Sequence, residues 1–116
     1  MKKLSVVLLL VTTMFVLQFC SSTKKAAIVE VPKITYAANI QPLVVANCSP
    51  CHIPPRGNKK PYDNYLAVKT DIDSITGRIQ KNPNERGFMP FRHPKLSDST
   101  INVFVQWKKD GLLEKN

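Results

Sequence analysis

Cys48, Cys51 and His52 fall within five consecutive positions, in the stretch Asn47-Cys48-Ser49-Pro50-Cys51-His52. On a helical turn, thiols three residues apart face the same side. The imidazole beside them is a nitrogen ligand for a metal. C-x-x-C-H is the attachment signature of a c-type haem: two thioether bonds hold a porphyrin, and the histidine becomes an axial ligand of its iron. Rival chemistries fit these residues less well. A thioredoxin-like C-x-x-C needs a βαβ context, which this chain does not offer. Structural zinc takes four ligands, typically in two pairs, and only His93 or the distant Cys20 is left to complete a set. A plain Cys48–Cys51 disulfide is the remaining alternative.

The second axial position is equally constrained. Past the N-terminal segment the chain holds one methionine, Met89 in Gly-Phe-Met-Pro-Phe, and one further histidine, His93. Met/His ligation is the pattern of electron-transfer haem proteins, and the thioether raises the reduction potential. Met89 is therefore the expected sixth ligand, on a loop stiffened by Pro90, with Phe88 and Phe91 packed beside the sulfur. His93 is the alternative and would give a lower potential. The plain readings are a gap-filling methionine and a surface histidine.

Cys20 stands apart. Lys2 and Lys3 precede sixteen uncharged residues that end at Phe19, the pattern of a secretory signal peptide. The run is short for a bilayer-spanning helix, which needs about 20 residues. An uncleaved anchor or a buried helix is the alternative. Leu-Gln-Phe-Cys at 17–20 resembles the lipobox of bacterial lipoproteins, with Phe19 where that pattern has a small residue. The resemblance implies lipidation of Cys20, a tether beginning Ser-Ser-Thr-Lys-Lys, and a periplasmic protein held on a bacterial membrane. Ser21 after the cysteine leans towards the outer membrane, and the choice between inner and outer membrane stays open. The expected divisions are a signal peptide at 1–19, a lipidated tether at 20–33 and a single domain at 34–116.

Three helical segments must position these residues. Tyr36, Ile40, Leu43 and Val44 share one helix face. Pro42 either starts the regular helix or kinks it, and the segment runs directly into Cys48. Ile72, Ile75 and Ile79 form a second stripe; Thr70 is the expected cap, with Asp73 completing the capping signature, and Asn82-Pro83 the stop. A shorter helical piece is expected around Asp-Asn-Tyr-Leu-Ala-Val-Lys, just before it. The third helix has Ser97 as N-cap, Leu96 placed to staple onto Ile101, Asp98 in the first turn and Lys108 and Lys109 in the last. Gly111 is placed for its stop, and Ile101, Phe104, Val105 and Trp107 form its buried face. No convincing strand pattern is present, so the fold class is all-α.

The chain has 116 residues, nine prolines and a formal charge of +9. So small a domain has a thin core and usually needs a staple, which a buried porphyrin would provide. The charge points to an acidic partner or an anionic surface. Nucleic acid fits poorly, because the charges are scattered and no binding motif is visible. Arg56, Lys59, Lys60, Arg78, Lys81, Arg86, Arg92 and Lys95 lie near the haem motif or the Met89 loop in sequence.

Ile40, Pro42, Leu43, Cys48, Cys51 and His52, followed by Met89, Pro90, Leu96, Ser97, Trp107 and Gly111, resemble the small single-haem class I c-type cytochromes over roughly residues 34 to 113. The resemblance implies three or more helices packed around one covalent haem c. Its N- and C-terminal helices would cross, with Ile40 or Leu43 against Phe104 and Trp107. It also implies that a backbone carbonyl, expected near Pro54, Pro55 or Pro61, takes the His52 N–H. The function implied is a lipid-anchored electron carrier, not an enzyme, serving acidic redox proteins or a membrane oxidoreductase. The alternatives are a haem-bearing subunit of a respiratory or oxidoreductase complex and a five-coordinate haem protein binding a gas or peroxide.

Overall fold

The computed structural model describes residues 31–116. The expected signal peptide, Cys20 and the tether through residue 30 lie outside the described residues.

Pro42 shapes the first element. A proline has no N–H and clashes with the carbonyl four residues back when it sits inside a helix. The chain resolves this with one wide π-helical turn, Tyr36–Ile40, followed by α1, Gln41–Cys48, with Pro42 in its first turn. The Ile40 and Gln41 N–H groups reach five residues back, to Thr35 and Tyr36. Of the two sequence alternatives, the regular helix does begin near Pro42, at Gln41, with a widened turn before it. Tyr36, Ile40 and Val44 are buried and Leu43 is half-buried.

The next two helices, α2 (Tyr65–Thr70) and α3 (Ile72–Ile79), are separated by Asp71. The short piece expected before the isoleucine stripe is α2. Its cap is Asn64, whose side chain accepts the Ala67 N–H at 3.0 Å. The expectation that Thr70 caps the stripe is not met. Thr70 ends α2, and Asp71 takes the N-cap position of α3 without a side-chain capping bond. Its carboxylate is engaged elsewhere, by Lys60 and Tyr62. Ile72, Ile75 and Ile79 are buried as the stripe requires.

The last helix, α4 (Asp98–Lys109), begins and ends as its sequence dictates. Ser97 accepts the Thr100 N–H at 3.2 Å. At the other end, Leu112 N–H bonds the Trp107 carbonyl and Gly111 N–H that of Lys108. This is a Schellman stop, and it requires Gly111 at φ 95°. Ile101, Phe104 and Trp107 are buried, but Val105 is only half-buried. At 100° per residue it falls well to one side of the stripe centred on Phe104.

These elements close into one unit, Val31–Asn116. An isolated parallel bridge joins Thr35 to Leu113, with Tyr36 N–H on the Leu113 carbonyl at 2.8 Å. Ile34 N–H donates to Asp110 at 2.7 Å. Behind this clasp, Tyr36, Tyr65 and Trp107 pack ring to ring at 5.6–6.3 Å. The indole of fully buried Trp107 donates to the Leu113 carbonyl. Ile40, Phe104 and Trp107 belong to one core. Among the described residues there is no strand, so the all-α class holds at that level.

Candidate cofactor site

The Cys48–His52 stretch starts at Cys48, the last residue of α1, and leaves the helix in a turn at Ser49. Ser49 is extended, at φ −77° and ψ 154°, because the residue before a proline is pushed out of the helical region. His52 N–H then closes the turn on the Cys48 carbonyl at 3.0 Å. The following loop folds back over it: Lys59 N–H bonds the Cys51 carbonyl at 3.2 Å, and Tyr62 N–H that of His52 at 2.8 Å. Gly57 makes the return possible. A Cβ there would meet the Cys51 carbonyl oxygen and, at 2.7 Å, the Pro50 oxygen.

The His52 imidazole is held from two directions. Its Nδ1 lies 2.7 Å from the Lys60 carbonyl. A carbonyl only accepts, so Nδ1 carries a proton, and in the neutral imidazole Nε2 then keeps the lone pair. The acceptor stands immediately before Pro61, one of the three places expected for it. The imidazole stacks on Tyr62, centroids 4.7 Å apart and planes 15° off parallel. The Lys60 ammonium meets Asp71 at 2.8 Å, and the Tyr62 hydroxyl donates to the same carboxylate. Lys60 and then the Tyr62 hydroxyl hold the Asp71 carboxyl below the usual range. Burial, reinforced by Asp71, pushes the Tyr62 phenol up.

Both thiols of the motif are free. Cys51 is exposed, while Cys48 is half-buried and desolvation pushes its thiol up to about 11. Cys48 is therefore neutral at pH 7, unlike the low-pKa thiolates of disulfide exchangers. Among the described residues, no group of three or more His, Cys, Asp or Glu could hold a metal ion, so a four-ligand zinc set does not assemble there.

A second wall comes from the loop between α3 and α4. Met89 N–H bonds the Arg78 carbonyl at 3.3 Å, tying the loop to the end of α3. Lys81 Nζ donates to the Arg86 carbonyl at 2.7 Å. Cys48, Cys51, His52, Met89 and His93 all line one cavity of about 660 Å³, with Ile75, Ile79, Leu96 and Phe104 among its apolar walls. That volume is within the ~300–1,000 Å³ common for small-molecule and cofactor sites. Met89 is half-buried and His93 exposed. Phe88 is buried and does not line the cavity, whereas Phe91 lines it but is 65 % exposed. Arg92 lies over the Phe91 ring at 5.1 Å. Of the basic residues singled out in the sequence, Lys59, Lys60 and Arg78 line the cavity.

Tyr62, Asp71 and Gly57 were not singled out by sequence reasoning. Gly57, just beyond the motif, carried the only available signal, as a glycine in a proline-rich loop. The donor set fits a covalent haem: two thiols on one turn, an imidazole with its Nε2 lone pair free, and a thioether on another wall.

The described unit is thus a small helical domain built around one cavity that gathers sulfur and imidazole donors. Comparisons with protein-family models, curated proteins and solved structures find no match to this chain.

Proposed function

We propose that this chain is an electron carrier with one covalent haem c, bound through Cys48 and Cys51 and ligated by His52 and Met89. The reading rests above all on one observation: the C-x-x-C-H turn and Met89 line the same cavity, and the His52 Nδ1–H is already engaged by the Lys60 carbonyl. That bond fixes the tautomer and turns Nε2 into the ligand atom. The bound group supplies a one-electron couple. The chain's residues would hold the group through the Cys48 and Cys51 thiols, the His52 imidazole and the Met89 thioether, against apolar walls from Ile75, Ile79, Leu96 and Phe104. The N-terminal pattern supports export and a lipid anchor at Cys20 on a bacterial membrane. The basic charge of the chain, +9 over all 116 residues with Lys2 and Lys3 in the segment before Cys20, supports encounter with acidic redox proteins or a membrane oxidoreductase. Such a carrier catalyses no reaction of its own.

Absorption spectra of protein matured with a haem-attachment system, wild type beside Met89→Ala, test this. The expected wild type is low-spin and shows the weak far-red band of thioether-ligated ferric haem, which disappears in the variant. A wild type without the band, and low-spin spectra that survive Met89→Ala, would move the sixth ligand to His93, which lines the same cavity. A high-spin wild type that responds to carbon monoxide would overturn the carrier reading in favour of an open iron.

A further inference from the structure

The grip on His52 converges on a residue that does not touch it. Lys60 offers its carbonyl to Nδ1, and Tyr62 offers its ring face together with a backbone N–H to the His52 carbonyl. These two residues flank Pro61 in the returning loop, and both side chains end on Asp71, at the break between α2 and α3. Asp71 itself lines the cavity, as do Lys60 and Tyr62. Helix capping does not account for it, since it makes no side-chain capping bond to α3.

We propose that Asp71 is a positioning residue for His52, anchoring Lys60 and Tyr62 so that the loop holds the imidazole with its Nδ1 proton on the Lys60 carbonyl. This deepens the haem reading and rests on it for its consequence at the iron. A firm Nδ1–H···O=C bond makes the imidazole a stronger donor and favours the oxidised metal. The carboxylate on the cavity wall acts in the same direction. Neutralising it therefore weakens both effects.

The test uses the full chain matured with haem, comparing wild type with Asp71→Asn, Asp71→Glu, Tyr62→Phe and the double variant Asp71→Asn/Tyr62→Phe. Two quantities are read: solvent exchange of the His52 Nδ1 proton by NMR, and the reduction midpoint potential. Asp71→Asn is expected to speed exchange and raise the potential, with Asp71→Glu recovering part of both. Tyr62→Phe keeps the stacked ring and should shift both in the same direction. The double variant should show less than the sum, as partners in one network do. If Asp71→Asn leaves either quantity unchanged, the proposal is overturned. A chain that takes up no haem defeats the proposed function instead, and the proton exchange of the haem-free chain then decides the positioning role alone.

Discussion

Two glycines make opposite demands on the chain, and together they test how closely the motif loop is packed. At Gly57 an added Cβ would run into the backbone of Pro50 and Cys51, which cannot move aside as a flexible side chain would. Gly57→Ala should destabilise by about 1–3 kcal/mol, the usual cost of forcing an atom into filled space. Gly77, inside α3, has nothing within 4 Å of its would-be Cβ. Gly77→Ala should stabilise by roughly 0.5–1 kcal/mol through helix propensity. Urea unfolding of the two variants checks both signs, and a neutral Gly57→Ala would mean that the loop does not close over the cysteines. The motif itself was legible because its three residues are neighbours in sequence. Lys60 was legible as one of eight basic residues near the motif or the Met89 loop, and its carbonyl only as an acceptor expected near a proline. Asp71 was missed as a site residue because its partners Lys60 and Tyr62 sit on a loop that returns eight to ten positions after His52, while Asp71 itself stands nineteen positions after it, between two helices. No local pattern records that return.

Helix ends divide along the same line. Ser97 and Gly111 behave as their sequence promises, since a cap and a Schellman stop are settled within a few residues of backbone. Thr70 does not, because α2 runs through it and a tertiary network claims the carboxylate of Asp71, the next residue. Val105 was placed one position too generously on its helix face, and the π turn before Pro42 left no sequence signature beyond the proline. Alanine substitutions separate real caps from apparent ones. Ser97→Ala and Asn64→Ala should each cost about 1 kcal/mol, the loss of one side-chain cap. Thr70→Ala, at an exposed position, should stay within about 0.5 kcal/mol. Thermal or urea unfolding ranks the three. A Thr70→Ala cost equal to that of Ser97→Ala would restore the capping role that the structure gives to neither Thr70 nor Asp71.

The whole unit is closed by contacts between its two ends, and one of these is electrostatic. Asp110 follows α4 and accepts the Ile34 N–H at 2.7 Å, with Gln106 donating to its other oxygen. The Ile34 bond, then the Gln106 bond, hold its carboxyl below the usual range. Asp71 is lowered as well, by Lys60 and Tyr62. A carboxylate whose folded pKa lies below its unfolded value near ~3.9 stabilises the fold above that value. The contribution is lost as pH falls through the folded pKa, where the folded state must also take up the proton. Stability should therefore be nearly flat from neutral pH down to about 5 and fall below about 4. The mounting positive charge of an already basic chain, +9 at pH 7, works in the same direction. Asp110→Asn isolates one share of this behaviour. The amide oxygen still accepts the Ile34 N–H but bears no charge, so it imitates the protonated aspartate. The variant should unfold at lower urea than wild type at pH 7, and the gap should close as pH drops below the folded pKa of Asp110. Urea midpoints measured for both proteins from pH 7 to pH 2.5 decide it. Two curves that stay parallel throughout would mean that the charge on Asp110 does not help close the ends of the chain, and that the Ile34 bond holds equally well to a neutral acceptor.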